Sequence, residues 1–186
     1  MQKGRQILSP ERFRITLTRL AHEIIENYAA DEEVFIIGIQ EKGVVLATRL
    51  IEIISQKNKR RKLHFGKLDI TFYRDDFRLR SKPLKASATE IDFDIEGKRV
   101  ILVDDVLYTG RTIHAAMSAL QDLGRVDRLE LLTMVDRRFN RHLPIKSDYT
   151  GIQVDSLDDA YVSVEWSHLD GADQILIYSA KKQNEQ

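Results

Sequence analysis

The chain alternates short oily runs with longer stretches in which apolar residues recur every three or four positions. VFIIGI (34–39) contains no polar side chain. It is too short for a helix and too apolar for a strand with one wet face, so it predicts a parallel strand buried on both sides. Val100–Val103 reads the same way, and Lys67–Tyr73 and Leu129–Val135 supply two further strands. Between these runs the period becomes helical. Ser9-Pro10 offers an N-cap followed by a first-turn proline, where the missing N–H costs nothing. Phe13, Leu17, Leu20, Ile24, Ile25 and Tyr28 then form one apolar stripe. Two more helices are predicted at about Val44–Ile54 and Arg111–Leu123. Strands alternating with helices imply βαβ crossovers, so the expected fold is α/β, a mainly parallel twisted sheet flanked by helices in a Rossmann-like arrangement. Beyond Pro144 the runs shorten to YVSVEW and ILIY, which read as late strands or a small subdomain.

Composition narrows what such a sheet could serve. A chain of 186 residues is most simply one domain, burying roughly 70% of the surface that its unfolded form exposes. Lys and Arg total 29 and so do Asp and Glu, so there is no global field to draw nucleic acid or anionic membrane, and any such partner requires a local patch. The absence of cysteine excludes disulfides, thiolate catalysis and cysteine-ligated zinc. MQKGRQILSPERF lacks the apolar core of a signal peptide, and no stretch approaches the ~20 apolar residues of a membrane span, so a cytoplasmic protein is expected. Two segments break the pattern. KNKRRK (57–62) carries five basic residues in six and reads as a solvated loop. Tyr73 to Ser87 is charged and aperiodic and reads as a long exposed binding loop.

In an open parallel sheet, ligands sit beyond the carboxyl ends of the strands. Three loops qualify: GIQEKG (38–43), DDVLYTGRT (104–112) and DRR (136–138). The middle one fixes the chemistry. Its turn runs into a helix, so backbone N–H groups and the helix dipole face outward, and the hydroxyls of Thr109 and Thr112 add donors. Gly110 can approach an anion closely or take positive φ. Tyr108, Thr109, Gly110, Arg111 and Thr112 therefore read as a phosphate cradle, although neither G-x-x-x-x-G-K-[ST] nor G-x-G-x-x-G is present. Ionised carboxylates only accept hydrogen bonds, so Asp104 and Asp105 directly before that cradle suit neighbouring hydroxyls, as in ribose 5-phosphate. Two acids this close resist joint ionisation unless donors or a cation such as magnesium offset the repulsion. Receiver and phosphohydrolase sites also use paired aspartates, but they do not need the Thr-Gly-Arg-Thr turn behind them.

VILVDDVLYTGRT (100–112) resembles the phosphoribosyl-diphosphate-binding motif of type I phosphoribosyltransferases. With LTRLAHEIIE (17–26), DITFYRDD (69–76), AAMSALQDLGR (115–125) and VDRR…LPIKSDYTG (135–151), the chain is similar from about Leu8 to Tyr178 to the bifunctional pyrimidine-operon attenuator and uracil phosphoribosyltransferase family. The resemblance implies a single domain over 1–186, with a core at about 30–140 and a hood built from the N- and C-terminal segments. It implies Mg2+-dependent transfer of phosphoribose from phosphoribosyl diphosphate to uracil, giving UMP and pyrophosphate. Asp104, Asp105 and Arg137 would be catalytic. Glu41, Lys42, Gly43, Arg74, Asp136 and Arg137 would face the pyrophosphate, with Arg74 to Ser87 as a flexible loop. The metal would be held mainly by substrate oxygens, with Asp104, Asp105 and Asp136 as its protein contacts.

Dimers or higher homo-oligomers are expected on the same ground. Thr18, Arg19 and His22 with Arg138, Arg141, His142 and Lys146 would form an mRNA-binding face. An RNA-binding regulator with weak or no transferase activity is an alternative, but three departures remove or displace polar or basic contacts and so count against RNA binding, and the last of them, near the expected base pocket, keeps a purine base open. Glu41 is acidic where the family carries a neutral or basic residue, VDRRFNRH is one residue longer than usual, and GIQVDS (151–156) lacks the expected lysine and Pro-Thr-Ser.

Overall fold

The computed structural model describes residues 4–74, 87–139, 141–155 and 160–178. Its elements are β1 (Arg5–Leu8), α1 (Pro10–Asn27), β2 (Val34–Ile39), α2 (Lys42–Lys57), β3 (Leu63–Leu68), β4 (Arg99–Leu107), α3 (Arg111–Gln121), β5 (Arg128–Arg137), β6 (Tyr149–Val154), β7 (Tyr161–Glu165), α4 (Ser167–Asp170) and β8 (Gln174–Tyr178). Five strands form one sheet in the order β3-β2-β4-β5-β6, and every pairing in it is parallel. The chain's two ends supply a smaller antiparallel sheet, β1-β8-β7.

The oily runs become strands because both faces of the larger sheet are covered. Ile36, Ile101, Val103, Leu132 and Met134 pack with the apolar stripes of α1 and α2. Ile37, Leu102 and Leu131 pack with Ile113, Ala116 and Leu120 of α3 on the other face. From β2 the chain moves to β3 on one side and then to β4 on the other. The strand order therefore reverses between β2 and β4, where a crevice opens at their carboxyl ends.

Several boundaries differ from the sequence pattern. The predicted strand at Lys67–Tyr73 is displaced to Leu63–Leu68, because its register with β2 runs from Val34↔Leu63 to Ile39↔Leu68, and Thr71–Tyr73 form a short 3-10 turn instead. β4 continues past Val103 to Leu107 because it stays paired to β5 as far as Leu107↔Asp136. α2 starts at Lys42, two residues earlier than its apolar stripe suggested. The core sheet extends beyond residue 140 to take in β6, whose Tyr149 is buried against Leu132.

KNKRRK is not simply a solvated loop. Arg61 is 8% exposed, and its guanidinium donates to the carbonyls of Ile25 at 3.4 Å, Tyr28 at 3.2 Å, Glu32 at 3.1 Å and also Ala29. These include carbonyls that the end of α1 leaves without helical partners, and the planar fork of arginine suits several acceptors at once.

Candidate active site

The acidic pair lies within the last turn of strand pairing rather than in a loop. Asp104 is buried and Asp105 half-buried, and the Asp105 N–H donates to Asp104 Oδ1 at 3.0 Å. Burial, reinforced by the charge of Asp105, pushes the Asp104 carboxyl well above the usual carboxylate range. Burial also raises Asp105, while Lys42 opposes that rise from an ammonium 4.0 Å away. Both acids open onto a cleft of about 540 Å³, whose walls also include Glu41, Lys42, Asp69, Arg74 and Thr112.

Next to this cleft, and sharing Arg74, Val106 and Thr112 with it, is a second hollow of about 320 Å³ lined by Tyr108 to Ile113. Gly110 caps α3 with φ +90°, a conformation that resists any Cβ, and a Cβ there would lie 3.2 Å from Ile145 Cδ1. The Thr109 hydroxyl accepts the Arg111 N–H at 3.4 Å. The first amides of α3 have no helical acceptors, so the hollow concentrates N–H donors and partial positive charge.

Glu41, Lys42 and Gly43 bring the start of α2 to the other side of the cleft. The Gln40–Glu41 peptide is cis. A Cβ at Gly43 would strike the Val103 carbonyl and sit 3.2 Å from Asp104 Cα, so glycine lets the helix press directly on β4 beside the acids. Lys42 lines the cleft, but its Nζ donates to the Val164 carbonyl of β7 at 2.7 Å. It therefore links the smaller sheet to the acidic pair. Glu41 stands exposed on the rim.

Asp136 and Arg137 are both buried at the end of β5, and the cleft walls do not include them. They lie against the hollow lined by Tyr108 to Ile113. The Arg137 guanidinium lies 3.8 Å over the Tyr108 ring, and Asp136 accepts from Arg141, which also donates to the Tyr108 carbonyl. Arg141, placed in the RNA face by its sequence context, thus lies inside this cluster.

Among the remaining RNA candidates, Thr18, Arg19 and Arg138 are engaged within the chain. Thr18 donates to the Arg14 carbonyl at 2.9 Å. Arg19 pairs with Glu23 at 3.2 Å and donates to the carbonyls of Thr150 and Gly151 at 2.8 and 2.6 Å, so α1 and β6 do adjoin. Arg138 is paired with Asp155. His22, His142 and Lys146 are exposed.

Asp69 is a cleft residue that the motifs did not single out. Its carboxylate accepts the N–H of Thr71 at 2.6 Å and that of Ser87, and its own N–H donates to Thr89 Oγ1 at 3.1 Å. It thereby ties together the two ends of the predicted binding loop and sets Arg74 and Ser87 in the cleft wall. Residues 75–86 of that loop lie outside the described residues. Asp69-x-Thr71 is a local turn signal, but sequence spacing does not show that Ser87 returns to it.

Among the described residues no group of three or more His, Asp or Glu side chains could cage a metal ion, and no helix is long and apolar enough to cross a membrane. Two carboxylates in an open cleft nonetheless fit magnesium, which typically binds one or two protein carboxylates and completes its shell with water and substrate oxygens.

Residues 4–170 match the phosphoribosyl transferase domain family. The chain is 42% identical over 177 residues to the bifunctional protein PyrR of Caldicellulosiruptor bescii, covering 95% of this chain and 96% of that protein. It is 42% identical over 181 residues to the bifunctional protein PyrR of Bacillus mycoides, covering 96% and 99%. Among solved structures, a hypoxanthine-guanine phosphoribosyltransferase from Bacillus anthracis superposes with a TM-score of 0.72 at 20% identity, over 95% of this chain and 98% of that one. A hypoxanthine phosphoribosyltransferase from Staphylococcus aureus superposes with a TM-score of 0.69 at 20% identity, over 96% and 93%.

Proposed function

The chain belongs to the phosphoribosyl transferase family, and on that premise we propose that it transfers phosphoribose from phosphoribosyl diphosphate to uracil, releasing pyrophosphate and forming UMP. One observation carries this reading: two carboxylates near the end of β4 line a cleft that shares Arg74, Val106 and Thr112 with the adjoining hollow of an anion-shaped turn opened by a left-handed glycine.

In this reading Asp104 and Asp105 accept hydrogen bonds from the ribose 2- and 3-hydroxyls, and the amides and hydroxyls of Tyr108 to Thr112 hold the 5-phosphate. The diphosphate lies toward Glu41 to Gly43 and Arg74. Asp104 and Asp105 would be the protein contacts of a bound magnesium ion, which would supply positive charge to offset the negative charge of the diphosphate. As the bond to the anomeric carbon breaks, positive charge develops on the sugar, and the acids below it are preorganised to stabilise that charge. No side chain acts as a covalent nucleophile. The protein orients the sugar and the base and excludes water from the reacting carbon. The ion pair of Arg141 with Asp136 and the ring contact of Arg137 with Tyr108 give Asp136 and Arg137 an indirect part, through the shape of the phosphate hollow.

The test is pyrophosphate release from phosphoribosyl diphosphate and magnesium with uracil, hypoxanthine and guanine in turn. Release with uracil alone supports the reading, and release with a purine alone transfers it to that base. The name of the relatives supports a second activity. His22, His142 and Lys146 remain exposed to meet RNA phosphates. Filter retention of a structured RNA, weakening steeply with salt, is its measurement.

A further inference from the structure

The sequence places Arg141 in a face turned toward RNA, whereas the structure turns it inward. We propose that Arg141 is a positioning residue of the phosphate hollow, clamping the Tyr108 carbonyl to the buried Asp136 carboxylate and thereby aiming the amides that hold the 5-phosphate. The proposal rests on reading that hollow as the 5-phosphate site.

The guanidinium bridges two acceptors, donating through Nη2 to Asp136 and through Nη1 to the Tyr108 carbonyl. Its side chain is 18% exposed, and that of Asp136 is 8% exposed. The chain following Arg141 continues the same work. The N–H groups of His142 and Leu143 both donate to the Thr109 carbonyl, at 3.0 and 3.3 Å. Leu143 and Ile145 close the space behind Gly110.

These contacts have a directional consequence. A trans peptide is planar, and its C=O and N–H point opposite ways. Holding the Tyr108 carbonyl toward Arg141 therefore turns the Thr109 N–H away from Arg141, and holding the Thr109 carbonyl toward the backbone of 142–143 turns the Gly110 N–H away from that segment. Arg141 fixes the first of these planes and the backbone of 142–143 fixes the second. Lysine could satisfy Asp136 as a point charge but could not fork to a second acceptor in a fixed plane. A guanidinium bound at both ends is poorly placed to reach a polynucleotide, whereas His142 and Lys146 beside it are exposed.

The experiment uses the full chain and isothermal titration with two probes, ribose 5-phosphate and inorganic pyrophosphate. Arg141→Lys and Arg141→Gln are expected to weaken ribose 5-phosphate about 10- to 100-fold, the range for losing a hydrogen bond from a charged donor, and to leave pyrophosphate within about 2-fold. Arg141→Gln strands the Asp136 charge. If it does not fold, Arg141→Gln with Asp136→Asn removes that charge and carries the same expectation. Thr112→Val, within the hollow itself, separates the two layers of the argument. Should Thr112→Val lose ribose 5-phosphate affinity while both Arg141 variants keep it, Arg141 has no positioning role and the hollow stands. If all three keep it, the 5-phosphate reading falls and the proposal falls with it. Equal losses for both probes in the Arg141 variants would mark a general structural defect and overturn the assignment.

Discussion

The two ends of the parallel sheet each bury acidic side chains, and they treat them in opposite ways. At the amino end, Glu130 accepts from Tyr28 at 3.0 Å, Tyr149 at 3.2 Å and Arg99 at 2.8 Å, with Arg128 at 3.2 Å. Arg99 in turn lies 3.9 Å over the Tyr28 ring. Although burial raises the Glu130 carboxyl, these donors hold it below its ordinary value, and burial beside Glu130 lifts the Tyr149 hydroxyl to about 12. At the carboxyl end, Asp104 and Asp105 face each other, an ammonium 4.0 Å from Asp105 and the more remote charge of Arg74, and burial drives both carboxyls upward. A charge satisfied from within is structural, whereas a pair of raised carboxyls beside a cleft marks a candidate ligand site.

The widest separation between the two ends should come from Asp104→Asn with Asp105→Asn. Transfer should fall by at least about 10²–10³, the scale of losing preorganised charge stabilisation. Because the variant removes two poorly compensated buried charges, its thermal midpoint at pH 7.5 should stay level or rise by a few degrees. Pyrophosphate release and calorimetry on the same sample check both halves, and a drop in both would erase the contrast.

Glu130→Ala should show the reverse pattern. Removing one partner of a buried ion pair leaves Arg99 only the more distant Glu32 carboxylate, at 3.6 Å, and costs about 3 kcal/mol. Urea denaturation reads this loss, while turnover per folded molecule should hold.

A pH titration should sharpen the comparison further. The Glu130 carboxyl is depressed in the fold, so its stabilisation is present above its unfolded value and is lost as pH falls through the folded value. The aspartate pair is raised, so it weakens the fold above its folded values and that cost is relieved as pH falls through them. Donor binding should accordingly fail on acidification while the fold is still intact, with ribose 5-phosphate affinity dropping in a range where the unfolding midpoint holds or rises. Simultaneous loss of both would count against the assignment. The smallest effect expected is that of Thr112→Val, about a tenfold rise in KM for the donor with little change in kcat, since one hydroxyl contact to a charged phosphate is removed.

What could be read from the chain follows how local each signal is. VFIIGI and VILV declare buried strands because a continuous apolar run reports burial on both faces, and the Thr-Gly-Arg-Thr turn declares a helix start opened by a positive-φ glycine. RQIL of β1 is four residues long, too short for a period to show. Arg61, Asp69 and Arg141 escaped for a different reason. Each is a charged residue in a polar stretch, where solvation is the default expectation. Their partners lie 29 to 36 residues away for Arg61, 18 for Asp69 at Ser87, and 33 for Arg141 at Tyr108. Only the folded chain brings those acceptors within reach. Asp136 and Arg137 are expected from the sequence to face pyrophosphate, whereas their contacts in the fold, Arg137 with the Tyr108 ring and Asp136 with Arg141, depend on side-chain directions that spacing does not encode.

The smaller sheet pairs Arg5↔Ile177 and Leu8↔Ile175, so its first strand must wait for its neighbour. As the polypeptide leaves the ribosome, β2 to β6 can assemble while β1 still has nothing to pair with. Contacts spanning nearly the whole chain are the slowest to form, and here one of their strands, β7, supplies the carbonyl that engages Lys42. The nascent protein therefore gains its scaffold first and its finished cleft last, and newly made copies should become competent only after synthesis has passed β8.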